Sequence, residues 1–259
     1  MNDLERIHEA LQQAAAAISS FVPGAVKADQ KPLGRGPVTE ADRAADRVLR
    51  EALLREGEGW LSEESTDDLA RLDRQRVWVV DPLDGTLEFV AGIPEWCVSV
   101  ALVEAGKVVA GGISNPSTGE VFLGSIAGGL TYNGKRTHAS ALTKLAGAVV
   151  LASRSEVKRG EWKPFGNAPI VIRPTGSVAY KLALVAAGLA DATWTLTPKS
   201  EWDVAAGVAL VKAAGGFVEC LDGSAPTFNN PSPRLSGLIA GGAALREQIR
   251  SLIRAVASA

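Results

Sequence analysis

Two carboxylates stand three residues apart in Trp78-Val79-Val80-Asp81-Pro82-Leu83-Asp84-Gly85-Thr86, and their setting suits a hard cation. The apolar run Val77 to Val80 predicts a buried strand. Pro82, which has no N–H to donate, and Asp84-Gly85, which permits a tight turn, then take the chain out of the sheet, with Thr86 free to cap a helix beyond the turn. Asp81 and Asp84 are thereby held on a rigid turn at a strand end. Mg²⁺ prefers oxygen ligands and is commonly bound by a few carboxylates together with a substrate phosphate. The N–H groups of Gly85 and Thr86, at the start of the next element, would face a phosphate oxygen. Read one dipeptide at a time, the same residues are only a β-turn.

Other residues of the right type lie far away in sequence. Trp60-Leu61-Ser62-Glu63-Glu64-Ser65 puts Glu63 at the end of an apolar segment, with Glu64 the weaker candidate beside it. Asp203 opens an Ala-rich helix after Thr197-Pro198-Lys199-Ser200-Glu201-Trp202, where an aspartate also serves as a cap. Thr39 is a natural N-cap, and Asp42 occupies the capping-box position three residues on. Arg154, after a strand, could pair bidentately with a phosphate or be an ordinary surface arginine. Gly176 allows close backbone approach, and Ser177 is either an N-cap or a substrate contact.

Taken together, V-T-E-A-D, L-S-E-E, D-P-L-D-G-T-x-E-F and W-D-x-A-A-G resemble, in that order along the chain, the motifs of the inositol monophosphatase superfamily. Its members are Mg²⁺-dependent, lithium-sensitive phosphomonoesterases with a five-layer αβαβα sandwich fold. The resemblance implies that Glu63, Asp81 and the Leu83 carbonyl hold one ion and that Asp81, Asp84 and Asp203 hold another, with a third, looser ion near Glu63. It counts Asp42, Thr86 and Glu63 as catalytic, Asp42 orienting the Thr86 hydroxyl as a proton relay. That role conflicts with a cap at Asp42, since one side chain is expected to point one way. Gly85, Thr86, Gly176, Ser177, Arg154 and Lys199 are the implied substrate contacts. Paired Mg²⁺ ions would activate a water and stabilise the leaving oxygen of an in-line displacement. No serine–histidine pair or reactive cysteine is apparent, so no phosphoenzyme is expected.

The form L-S-E-E, Glu88-Phe89 and Ser153-Arg154-Ser155 are closest to the bacterial 3'(2'),5'-bisphosphate nucleotidase branch. The expected substrate is therefore adenosine 3',5'-bisphosphate, with Lys199 suiting a second phosphate. The acid that inositol monophosphatases direct at a sugar hydroxyl, seven residues before Asp203, is Leu196 here. Glu156 stands where the nucleotidases often carry histidine. Inositol-1-phosphate and other small sugar phosphates are the alternative substrates, and a phosphometabolite-binding module without turnover is the alternative of another class.

The elements that must position these residues are set by periodicity. Leu4 to Phe21 carries a helical stripe, and a second helix runs from Thr39 to about Glu56. Lys31 to Pro37 is expected to be a Gly/Pro-rich mobile loop. Trp96 to Val103 and Lys107 to Ile113 flank Glu104-Ala105-Gly106 as a hairpin, and Glu120 to Gly134 continues a meander. From Leu145 strands alternate with helices, including Val178 to Ala187 and a last helix over Leu245 to Ala257. The expected division is an N-terminal α+β half, residues 1–137, carrying the metal motif. A C-terminal α/β half, residues 138–259, closes the site within one fused unit.

With 27 basic and 29 acidic side chains in 259 residues, the net charge of −2 gives no footprint for a nucleic acid polymer. No apolar run approaches the ~18 residues of a membrane helix. Nothing near the N-terminus has the pattern of a signal peptide. Cys97 and Cys220, far apart in apolar surroundings, fit reduced thiols in a cytoplasm. His8 and His138 share no metal-ligand spacing, which disfavours zinc. The expected partner is a small phosphorylated metabolite, with a homodimer implied by the family.

Overall fold

A computed structural model describes residues 2–30 and 37–257. Most of the expected Lys31–Pro37 loop lies outside the described residues. Helix α1 (Asp3–Ile18) begins with a capping box between Asn2 and Glu5 and packs along α2 (Glu40–Leu53). Short strands β1 (Asp29–Gln30) and β2 (Pro37–Val38) pair between them. The main sheet then forms from β3 (Gly59–Ser62), β4 (Arg76–Asp84), β5 (Cys97–Glu104), β6 (Lys107–Asn115), β7 (Glu120–Ser125), β8 (Gly129–Tyr132) and β9 (Lys135–Thr137), in that spatial order. Among the described strands of this sheet, only β3 and β4 pair in parallel. The β5–β6 turn is made by Ala105 and Gly106, both at positive φ, as a tight hairpin requires.

The second sheet has the order β11-β10-β12-β16-β14. It is built from β10 (Val149–Ser153), β11 (Val171–Thr175), β12 (Ala192–Thr195), β14 (Phe217–Cys220) and β16 (Leu238–Gly241). A small pair, β13 (Lys199–Ser200) with β15 (Arg234–Leu235), sits beside it. Helix α3 (Thr86–Val90) follows β4, and α4 (Arg154–Arg159) follows β10. Helices α5 (Val178–Ala186) and α6 (Glu201–Ala213) lie between the two sheets, and α7 (Arg246–Ala257) covers the outer face of the second.

Three buried clusters define the layering. The first joins α1 and α2 to one face of the main sheet, the second joins its other face to α5, α6 and the second sheet, and the third lies under α7. Alternation along β4 shows why its stretch from Val77 to Val80 is continuously apolar. Trp78 and Val80 enter the cluster with α1 and α2, while Val77 and Val79 enter the one with α6. A strand covered on both faces has no polar side to display. The layers read α, β, α, β, α, as the sandwich expectation has it.

Helix α6 is buried nearly all round, which its run of Ala, Gly and Val makes possible. A Cβ at Gly207 would come within 2.4 Å of Leu182 Cβ on α5, and one at Gly111 of β6 within 2.9 Å of the Ala206 carbonyl. Small residues at these crossings let α6 wedge between sheet and helix, and its first turn carries Asp203.

Candidate active site

The strand carrying Asp81 does not end where its punctuation suggests. β4 keeps pairing with β5 to Asp84, with Asp81 opposite Ser99, Asp84 opposite Cys97, and a register irregularity between. A proline fits at such a bulge because no ladder hydrogen bond is required there. Asp81 is buried and its Oδ1 accepts the Leu83 N–H at 3.0 Å, fixing the carboxylate against its own backbone. Gly85 then turns the chain at φ +100°, and a Cβ there would meet the Glu95 carbonyl at 2.9 Å. Only glycine fits that turn.

Thr86 does not cap α3, whose N-cap is Gly85. Its hydroxyl instead lies 3.1 Å from Asp42 Oδ1 and 3.2 Å from the Leu83 carbonyl. Asp42 Oδ2 meanwhile accepts the Thr39 N–H at 2.8 Å and the Thr39 hydroxyl at 2.6 Å, closing the capping box of α2. The expectation that capping and reaching Thr86 exclude each other is therefore wrong. A carboxylate has two oxygens, and here one serves the helix and the other serves Thr86.

Glu63 follows β3 directly, with its N–H bonded to the Val80 carbonyl at 3.3 Å. This parallel pairing brings it beside Asp81. Asp203 closes a capping box at the start of α6, its Oδ2 accepting the Ser200 N–H at 2.9 Å. One carboxylate oxygen from each of Glu63, Asp81 and Asp203 lies within 4.8 Å of the others. Asp84 is not in that trio. Its Oδ2 accepts the Ser177 hydroxyl and the Ala179 N–H, both at 2.6 Å, which ties it to the first turn of α5.

The electrostatics fit a divalent cation. Burial and the negative charges of Asp84 and Glu63 push the Asp203 carboxyl up to about 8, against the Ser200 N–H and Lys199. Burial also raises Asp84, despite its hydrogen bonds from Ser177 and Ala179 and the nearby Lys181 charge. Carboxylates crowded in this way repel, and a dication removes that repulsion. The donor set is oxygen only, as Mg²⁺ or a similar hard ion requires.

Among the residues expected to touch substrate, Ser177 is the N-cap of α5 at φ +54°, an unusual conformation for a residue with a Cβ. Its hydroxyl accepts the Tyr180 N–H at 2.9 Å while donating to Asp84. Gly176 has no room for a Cβ, which would fall 2.4 Å from Glu88 Cγ. Its N–H goes to Glu95 Oε2 at 2.6 Å. Glu95 also takes Arg154 in a two-bond fork, Nε to Oε2 at 2.5 Å and Nη2 to Oε1 at 2.6 Å. Lys199 lies 3.1 Å from the Thr197 hydroxyl and 3.6 Å from Glu156. The buried Glu156 further accepts from Thr195, Thr197 and the Trp162 indole.

Sequence reasoning missed three of these groups. Glu95 and Glu156 each hold a cation expected to face substrate. Lys181, buried in α5, donates to the Ser177 carbonyl at 3.0 Å, and burial lowers it to about 8 against the pull of Asp84. A lysine at an interior position of an apolar helix face was the one visible signal.

The sequence profile described as the inositol monophosphatase family matches residues 3–257. The chain is 36% identical over 237 residues to a Mesorhizobium japonicum protein named inositol-1-monophosphatase, spanning 86% of this chain and 84% of that one. Its structure superposes on the Thermotoga maritima IMPase with a TM-score of 0.83 and 27% identity, covering 100% of this chain and 99% of the other. On CysQ of Bacteroides thetaiotaomicron, a bacterial member of the inositol monophosphatase family, the TM-score is 0.78 at 26% identity, with 93% of this chain and 97% of the other covered.

Proposed function

We propose, because the chain belongs to the inositol monophosphatase family and is therefore a metal-dependent phosphatase, that it hydrolyses the monophosphate ester of a small polyhydroxylated compound such as inositol-1-phosphate. The observation carrying the reading is the meeting of Glu63, Asp81 and Asp203 next to a Thr86 already engaged by Asp42. Glu63, Asp81 and Asp203 would hold Mg²⁺, with Asp84 and the Leu83 carbonyl completing a site for two or three ions. Bound Mg²⁺ would lower the pKa of a water and stabilise the oxygen that leaves.

The chain's own groups do the rest. Asp42 holds the Thr86 hydroxyl, so that Thr86 can take a proton from the attacking water while giving its own hydroxyl proton to the Asp42 carboxylate. The N–H groups of Gly85 and Thr86 would hold the non-bridging phosphate oxygens as charge shifts among them. Ser177 and Ala179 restrain one oxygen of Asp84, and the other is directed by that restraint. Glu88, half-buried against Gly176, offers a carboxylate to substrate hydroxyls.

A substrate with a single phosphate is supported by the state of two cations, Arg154, expected as a phosphate partner, and Lys199, expected to suit a second phosphate. Arg154 is held by Glu95, and Lys199 lies against Glu156. The name of the Mesorhizobium relative supports the same class. The second reading is a 3'(2'),5'-bisphosphate nucleotidase, favoured by L-S-E-E, Ser153-Arg154-Ser155 and the likeness to CysQ. Phosphate release with Mg²⁺, with and without Li⁺, separates them when inositol-1-phosphate, adenosine 3',5'-bisphosphate and fructose-1,6-bisphosphate are compared. A higher kcat/KM on the inositol ester is expected. Preference for the bisphosphate nucleotide would replace this reading with the second, and release from none of the three would remove both.

A further inference from the structure

Arg154 and the Gly176 N–H form a ready-made anion cradle, and the chain fills it with one of its own side chains. The guanidinium presents Nε and Nη2 side by side, and the peptide N–H converges on the same carboxylate at 2.6 Å. Two parallel guanidinium bonds plus a backbone donor are what a phosphate oxygen pair would use. The ligand in place is Glu95. The cradle is close to the reacting centre, since Gly176 precedes Ser177, whose hydroxyl holds Asp84. It is also reachable, because the Arg154 and Glu95 side chains are 40% and 21% exposed.

From this we infer that Glu95 is a specificity-determining residue, an internal anion that occupies the subsite where a second substrate phosphate would bind. The inference deepens the single-phosphate reading above and rests on it. A nucleoside bisphosphate must displace a fixed carboxylate to reach Arg154, whereas a neutral polyol leaves the cradle as it stands. Burial opposes ionisation of Glu95, yet the Arg154 bonds and the Gly176 N–H hold it below the ordinary glutamate range. Its negative charge therefore persists well into acid. Lys199 beside Glu156 repeats the theme, with a second cation neutralised from within the chain.

The test removes the internal anion and asks whether an external one takes its place. Glu95→Ala and Glu95→Gln are compared with Arg154→Met and with Glu95→Ala/Arg154→Met. For each, kcat/KM is measured on adenosine 3',5'-bisphosphate and on inositol-1-phosphate. The ratio of the first to the second is expected to rise by about tenfold in Glu95→Ala, the worth of one well-made ionic fork. It should return to the wild-type ratio in the double variant. A structural tie alone would depress both substrates together, so an unchanged ratio overturns the inference. So does a rise that survives the loss of Arg154. Calorimetry of adenosine 3',5'-bisphosphate binding to the same set in an Asp42→Asn background reads the cradle without turnover. If the wild type hydrolyses neither compound, the functional reading falls. Tighter binding on loss of Glu95, dependent on Arg154, would still establish the subsite.

Discussion

Asp42 divides its two oxygens between a helix and a hydroxyl, so its replacement should act on both. Asp42→Asn preserves shape but replaces one acceptor oxygen with a donor and removes the charge that Thr86 would use. On the proposed role, kcat should fall by about 10²–10⁴ with little change in KM, as for loss of a general-base group. Steady-state kinetics on inositol-1-phosphate measures it. Asp203 makes a prediction about pH. In the metal-free protein its carboxyl sits at about 8, far above its ordinary 3.8. A raised folded-state value contributes stability that is intact below pH ~4 and is lost as pH rises through ~8. On the proposed role of Asp203, Mg²⁺ would cancel that loss. The gain in Tm on adding Mg²⁺ over EDTA should therefore grow steadily from pH 5 to pH 8.5 in thermal unfolding. The positions of Glu63, Asp81 and Asp203 were legible in sequence because a recognisable motif surrounds each, although Asp81 lies inside β4 and not at its end. Glu95 was not. Its meaning depends on an arginine 59 residues away, and spacing carries no information about such pairs.

Helix α6 was readable as a helix from its Ala-rich run, but its burial on nearly every side was not, since a continuous apolar stretch names no single face. The small residues are where its packing is decided. Gly207→Val places a branched side chain into Leu182, and Gly111→Val drives one into the Ala206 backbone. Each should destabilise by about 1–3 kcal/mol through overpacking, measured from denaturant midpoints at unchanged m-value. Because α6 carries Asp203, the same variants should weaken Mg²⁺ binding more than they alter the Asp42–Thr86 pair. The boundary of β4 was misplaced for a related reason. Pro82 and Asp84-Gly85 announce a turn locally, but pairing with β5 absorbs Pro82 and Leu83 into an irregularity and keeps Asp84 on the sheet. Local turn chemistry was outweighed by a partner strand that only the fold supplies.

Across the fold, the order of layers was legible through the family resemblance, whereas the polar ties between distant segments were not. Arg71, buried, holds Asp67 through Nε and Nη2 and reaches the Asn229 side chain and the Asn230 carbonyl. The buried Glu201 accepts both backbone N–H groups of Asn229 and Asn230. The Arg71 bonds pin the loop between β14 and β15 to the segment between β3 and β4, and Glu201 ties the same loop to the start of α6. Arg71→Met should cost about 2 kcal/mol of stability by stranding those acceptors, with Mg²⁺ affinity retained; denaturant unfolding and calorimetry read the two separately. A last consequence concerns Asp203, which doubles as the capping-box partner at the start of α6. Its torsions are frozen by folding itself, so little freedom is left for a cation to take away when it arrives. Affinity then depends on how often the opening turn of α6 frays. Warming should loosen cation grip in step with amide hydrogen exchange at Ser200, well before the rest of the molecule gives way.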